Sequence, residues 1–449
     1  GRLSCDKLAD IDILYLPELY IAEACCTRQL LNFAAADYPV PRNLDKLLTA
    51  VSKNSGIRYS DQQLEAIEAA ARSGLMFVTG GPGTGKTTIV NGILSLLGHM
   101  GLKCLLAAPT GRAAKRLTEV TGEEASTIHR LLEAGIDPNT GLMVFNRDED
   151  QPLKADAIIV DEMSMVDVQL LHSLLRAIPQ NKRLILVGDP DQLPPVGPGF
   201  PFGDMLRSNM LPTVRLTEIF RQAQESLIVM NAHRVNQGQM PELRNTKNDF
   251  FFLNAVSEEA VGQTITGLCA ARLPKNMGIP SDQIQVLTPT KKGGAGTVHL
   301  NKLLQASLNP PAPDKKERQF GEFLFREGDR VMQIRNNYDI VWRTEDTIGT
   351  GIFNGDIGVI ESIDLRDEVI NIWFDDRYVR YDFENLDELE LSYAITVHKS
   401  QGSEYPIVIL PMYSCPPMLK TRNLLYTAIT RAKRMVILVG RPEIVGEMV

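Results

Sequence analysis

The stretch "LMFVTGGPGTGKTTIVNGILSLL" (75–97) constrains this chain more than any other. Gly80–Thr87 fits the spacing GxxxxGK[ST], directly after a short apolar run and directly before a helical one. Glycines let such a loop curl until its N–H groups face phosphate oxygens, and the following helix N-terminus adds a favourable dipole. In that setting Lys86 is expected to reach the β- and γ-phosphates of a nucleotide, and Thr87 to ligate Mg²⁺. Gly81, Pro82, Gly83, Thr84, Gly85 and Thr88 would complete the cradle. A loop of this kind needs a strand, a turn and a helix in that order, which belongs to an α/β fold.

The rest of the chain agrees with that demand. "LMFVTG", "KCLLAAP", "ADAIIVDE" and "KRLILVGD" are short, rich in branched residues and separated by helical stretches, as in a parallel sheet covered on both faces. A second alternating region begins at "DQIQVLTPT" and resumes at "LSYAITVHKS", "YPIVILPM" and "RMVILVG". Turn residues in 133–151 predict a small hairpin insertion, and 320–385, strand-rich with little helical pattern, predict an inserted all-β barrel. Residues 1–55 read as short helices. With 449 residues, about three domains are expected.

Composition excludes little. No apolar run is long enough to span a bilayer as a helix. Six scattered cysteines without metal-ligand spacing suit reduced thiols and a cytoplasmic setting. The net charge of −8 weighs mildly against a nucleic-acid partner, although a total can hide a local basic surface. The first residue is Gly rather than Met, as expected of a fragment or a processed chain.

Two further strand ends carry chemistry. "AIIVDEMSM" places Asp161 and Glu162 after an apolar run, and parallel sheets put their chemistry at the carboxyl ends of strands. Asp161 would hold the Mg²⁺ shell, leaving Glu162 to orient and deprotonate a water. "LVGDPDQLPPV" ends the same way, so Gln192 is expected near the terminal phosphate. A neutral amide there can sense that phosphate without competing with the metal, and Pro194 and Pro195 would stiffen the loop that follows. Arg221 in "LTEIFRQ" and Arg431 in "LLYTAITRAKR" are candidates to neutralise charge on the γ-phosphate. If Arg431 reaches it, the nucleotide lies in a cleft between the two α/β units, and closure on ATP followed by opening is the stroke of a motor.

In this order the motifs resemble those of the superfamily 1 helicases, specifically the RecD-like 5′→3′ DNA helicases, over roughly residues 56–440. "YSDQQLEAI" is similar to the family's glutamine motif, where Gln63 would read the adenine edge, with Gln62 as the alternative. "APTGRAAKRL", "STIHRLL", "VDEMSM", "GDPDQLPPV", "LTEIFRQ", "YAITVHKSQGSEY" and "NLLYTAITRAKR" follow in family order.

The resemblance implies two RecA-like P-loop motor domains, with a β-hairpin insertion in the first and an SH3-like β-barrel inserted in the second. The expected limits are 1–55 for a helical remnant of an N-terminal region and 56–240 for the first motor domain, with the hairpin near 133–151. The second motor domain takes 241–319 and 386–449, and the barrel 320–385. DNA contacts are expected from Pro109, Thr110, Gly111 and Arg112, with Lys115 and Arg116 adding charge. Further contacts fall to His129, Asn354, Thr396 and His398, while Glu404 would hold the ribose.

The expected function is an ATP-dependent helicase that moves 5′→3′ on single-stranded DNA and opens single-strand/duplex junctions, acting as a monomer with ATP and Mg²⁺. Direction rests on the resemblance alone. Protein partners would come through an N-terminal region that is mostly missing here. The alternatives are the motor subunit of a helicase–nuclease complex and a nucleotide-gated DNA-binding scaffold.

Overall fold

A computed structural model describes residues 3–8, 10–36, 38–137, 143–218, 225–245 and 249–449. The chain divides into two compact units, Gly1–Phe220 and Arg221–Val449.

The first unit opens on a two-stranded antiparallel hairpin, β1 (Ser4–Leu8) and β2 (Ile11–Tyr15). This corrects the all-helical expectation for residues 1–55. The alternation of Ile11, Ile13 and Tyr15 is a strand pattern, but Ile11 lies exposed and Ile13 and Tyr15 are only half-buried, so no described side chain of the hairpin joins a buried core. Three helices follow, α1 (Pro17–Ala35), α2 (Leu44–Ser55) and α3 (Asp61–Arg72).

The main sheet then builds in alternation: β3 (Leu75–Gly80), α4 (Lys86–His99), β4 (Cys104–Ala108), α5 (Gly111–Thr121) and β5 (Ala125–Thr127). The one-turn α6 (Ile128–Leu131) leads into the small antiparallel hairpin β6 (Ala134–Ile136) and β7 (Met143–Phe145). The remaining elements of the unit are β8 (Ala157–Val160), α7 (Val168–Arg176), β9 (Arg183–Gly188), α8 (Pro201–Ser208) and β10 (Thr213–Leu216).

The sheet order is β10-β3-β9-β8-β4-β5, and every pairing is parallel. Its strands are apolar at successive positions because both faces are buried. Leu75, Phe77, Ile158, Val160, Leu184 and Leu186 point to one face, against Phe33 of α1, Leu171 and Leu174 of α7 and Phe202 of α8. The intervening Met76, Val78, Ile159, Ile185 and Val187 point to the other face, against Ile67 of α3, Ile89 and Ile93 of α4 and Leu117 of α5. Side chains alternate faces along a strand, so one continuous apolar run feeds two cores.

The second unit holds a five-stranded parallel sheet whose strands lie in the order Phe250–Asn254, Ala432–Gly440, Tyr405–Met412, Ile284–Thr288 and Ala394–Thr396. Between Ile284–Thr288 and Ala394–Thr396 the chain makes an antiparallel module from Glu317 to Leu391: a hairpin of two strands and a seven-stranded sheet. The module is wider than the 320–385 span read from sequence, because its first hairpin and last strand flank that span.

The division between units also places the helix Leu227–Asn236 with the second, whereas the sequence reading extended the first motor domain to 240. The helix is fixed there by Ser226, whose hydroxyl donates to Asp249 at 2.7 Å next to the first strand of that sheet. Asp329 ties the module to the helix Thr297–Leu308 and to the residue that precedes the strand Ala394–Thr396. Its buried carboxylate accepts from Gln305 Nε2 (2.5 Å), Asn309 Nδ2 (2.7 Å), the Arg326 N–H (2.7 Å) and the Tyr393 hydroxyl (2.9 Å).

Candidate nucleotide and nucleic-acid sites

Because all strands of the first sheet run the same way, their carboxyl ends share one edge. Four neighbours in the order β3-β9-β8-β4 deliver, side by side, the Gly80–Thr87 loop, the Asp189–Gln192 turn, Asp161 with Glu162, and Thr110 at the start of α5. Gln192 therefore follows the strand that lies between the glycine-rich loop and the carboxylate pair.

The loop is shaped to receive an anion. Gly83 and Gly85 adopt positive φ (74° and 81°), which a side chain would oppose. A Cβ on Gly80 would sit 2.6 Å from Thr84 Oγ1 and 2.9 Å from Leu216 Cβ. No side chain caps α4, and no acidic residue occupies its first turn, so its leading N–H groups keep their positive end for a ligand. Thr84 Oγ1 donates to the Gly81 carbonyl at 2.8 Å, tightening the loop. Lys86 folds over it, donating to the carbonyls of Gly80 (2.5 Å) and Gly81 (3.2 Å).

Asp161 is anchored by its N–H to the Ala107 carbonyl (3.0 Å), and its Oδ1 accepts from the Glu162 N–H (2.8 Å). Burial, and after it the neighbouring Glu162 charge, push Asp161 up to about 6, against the opposing pull of the Glu162 N–H, Arg116 and Lys86. A buried carboxylate in that state favours a bound cation. Among the described residues no group of three or more His, Cys, Asp or Glu is placed to hold a metal. Thr87, early in α4, and Asp161, just after β8, are the oxygen-bearing side chains this edge could offer a divalent metal, the remaining ligands then being phosphate and water.

Glu162 itself is held in the left-handed region (φ 54°, ψ 40°). Its Oε1 lies 3.8 Å from Arg116 on α5. Sequence reasoning gave Arg116 to DNA and missed this pairing. The available signal was the spacing of Arg112 and Arg116 on one helical face together with β4 pairing beside β8, which no pattern in the chain announces.

Several expected contacts are otherwise engaged. Gln63 is buried and closes a capping box on α3, its Oε1 accepting from the Ser60 N–H at 3.1 Å, so an adenine would find only its Nε2 donor. Gln62 makes a two-way contact with Thr217, donating to its hydroxyl (3.1 Å) and accepting from its N–H (3.2 Å). Thr110 caps α5, accepting from the Ala113 N–H at 3.3 Å, and leaves Gly111 and Arg112 at the helix start after Pro109. The ring of His129 packs 5.8 Å from that of Phe145 on the small hairpin, and burial lowers its pKa. It lines a groove of about 730 Å³ with Met143, Asp167 and His172. Arg221 lies outside the described residues.

In the second unit, Thr396 ends a strand, and its hydroxyl accepts from the Lys399 N–H (3.4 Å). His398 is half-buried, and burial alone lowers its pKa. Lys399 and Lys291 share the carboxylate of Glu390 at 2.7 and 3.1 Å, a cluster the sequence did not signal. Burial opposes the charge on Glu390, yet the two ammonium groups together hold it below the usual carboxylate range. Arg431 is buried and donates to the Ser403 carbonyl at 3.3 Å. Glu404, beside Ser403, pairs with Lys433 at 3.4 Å. Asn354 is exposed at a turn of the antiparallel module, its N–H donating to Asn336 Oδ1 at 2.9 Å.

Comparison with known proteins agrees with this layout. Residues 63–198 match an AAA domain, 300–374 the ATP-dependent RecD-like DNA helicase SH3 domain, and 391–439 the UvrD-like helicase C-terminal domain. The ATP-dependent RecD2 DNA helicase of Deinococcus radiodurans is 37% identical over 94% of this chain, which spans 54% of that protein. The RecBCD enzyme subunit RecD of Mycolicibacterium smegmatis is 30% identical over 96% of this chain and 78% of its own length. With two parallel sheets, a glycine-rich loop and an inserted SH3-like module in the same order, the chain belongs to the RecD-like superfamily 1 helicases.

Proposed function

We propose that the chain is an ATP-driven motor that moves 5′→3′ along single-stranded DNA and separates the duplex ahead. The observation that carries this is the row of four adjacent strand ends, which brings the phosphate loop, Gln192, the carboxylate pair and the start of α5 to one edge. Lys86 and the N–H groups of 81–88 bind the triphosphate, and Thr87 and Asp161 would hold Mg²⁺. When bound, the metal neutralises charge on the β- and γ-phosphate oxygens. Glu162 takes a proton from the water that attacks the γ-phosphorus, and the bond to the β-phosphate oxygen breaks to give ADP and phosphate. Gln63 or Gln62 is proposed to meet the base.

On the DNA side, Gly111 and Arg112 offer N–H groups and a guanidinium to a backbone phosphate. Thr396 and His398 offer a hydroxyl and a neutral imidazole, and Asn354 offers an exposed amide. Among the described residues no helix is long and apolar enough to cross a membrane. A second reading, the motor subunit of a larger assembly, is favoured by the likeness to a RecBCD subunit.

The test is ATP hydrolysis with and without single strands, alongside unwinding, in the wild-type chain and Gln192→Ala. The wild type should be stimulated by DNA. Gln192→Ala should keep most of that stimulation while unwinding per ATP falls about tenfold, a coupling loss of ordinary size. Equal, wild-type values for both in the variant would remove Gln192 as a coupling residue. A wild-type chain indifferent to DNA would remove the motor reading.

A further inference from the structure

We infer that Arg116 is a DNA-responsive positioning residue that holds Glu162 until a single strand occupies the start of α5; the inference rests on the reading of this edge as the site of ATP hydrolysis. Arg112, Lys115 and Arg116 fall at i, i+3 and i+4 of α5 and so share one face. That face begins beside Thr110 and Gly111, and four residues on, about 6 Å along the axis, comes Arg116.

The guanidinium of Arg116 lies 3.8 Å from Glu162 Oε1, with the carboxylate nearly buried (10% exposed) and the arginine more open (32%). The contact is longer than a charge-assisted hydrogen bond, so it is a Coulombic hold rather than a bidentate lock. The backbone supports the arrangement: β4 pairs with β8 through Ala107 and Val160, which sets the start of α5 beside Glu162, and φ of 54° fixes the direction in which Glu162 leaves its strand.

Without DNA, the arginine draws the carboxylate toward α5 and so holds it away from the position in which it would meet the water. A backbone phosphate arriving at Gly111 and Arg112 presents a second anion one helical turn away. Arg116 turns toward it and releases Glu162 to accept the water's proton. The strand's arrival is thus transmitted to hydrolysis through one side chain, inside one unit.

The experiment compares the wild-type chain with Arg116→Ala, and with Arg116→Gln, which keeps much of the aliphatic stem should the alanine variant fold poorly. Two quantities are read: the ratio of ATPase rates with saturating and with no oligothymidylate, and the salt dependence of nucleotide-free oligothymidylate binding by fluorescence anisotropy. In the variants, hydrolysis without DNA should rise at least about fivefold and the stimulation ratio should fall accordingly. The slope of log K against log salt should shrink by about 0.7, one phosphate contact on a single strand. A wild-type stimulation ratio in both variants, or a wild-type salt slope, overturns the inference. Absence of stimulation in the wild-type chain instead overturns the underlying reading of the site, so the two failures are distinguishable.

Discussion

Lys86→Ala is expected to lower DNA-stimulated ATP hydrolysis by roughly 10²–10³-fold, the cost of removing one preorganised charge from a developing anion. The lysine stands at the first position of α4, where it now donates to the carbonyls of Gly80 and Gly81. Those carbonyls hold it over the loop, and in the proposed reaction they would be exchanged for phosphate oxygens when the nucleotide enters. The loop's curl comes from Gly83 and Gly85 and from the Thr84–Gly81 bond, none of which involves Lys86. The variant should therefore remain folded, with a melting temperature close to that of the parent. Calorimetry beside a phosphate-release assay separates the two effects. Unchanged hydrolysis would remove the loop as the phosphate site.

Glu162→Gln is expected to slow hydrolysis by roughly 10²–10⁴-fold, the usual range for a positioned general base, while ATP and single strands still bind. The amide has the carboxylate's shape, and the left-handed backbone at position 162 is unaffected. What it lacks is basicity toward the water. Asp161→Asn makes the contrasting case: it removes the buried charge proposed to hold the metal, so it should raise the Mg²⁺ concentration needed for turnover. Single-turnover hydrolysis beside nucleotide binding by equilibrium dialysis distinguishes the two. Wild-type single-turnover rates in Glu162→Gln would assign the base elsewhere.

Much of this architecture was legible because the strands of a doubly covered sheet cannot be disguised. Runs such as "AIIV" and "RLILVG" feed a core on each face, and that demand writes itself as unbroken apolar sequence. That the strand-end residues would gather at one edge followed from it, whereas their order along that edge did not. The small hairpin at 134–145 was legible from turn residues, whereas the one at 4–15 was not, since its alternating residues are at most half-buried and demand no run of apolar sequence.

Side-chain partners were the least legible layer. Gln63 serves the helix cap at its own N-terminus, a local hydrogen bond that competes with ligand reading and that the glutamine's motif position does not reveal. Arg116 meets Glu162, and Glu390 meets Lys291 and Lys399, across sequence gaps that only the fold closes. Residues far apart in the chain become partners through strand order, and strand order is not written in local pattern.

The motor account is tested most directly by unwinding of partial duplexes that carry the same single-stranded tail on either the 5′ or the 3′ side. The account predicts that the chain, with ATP and Mg²⁺, releases the displaced strand from the 5′-tailed duplex and leaves the 3′-tailed one paired. Release from the 3′-tailed duplex alone, or equal release when ATP is omitted, would contradict it.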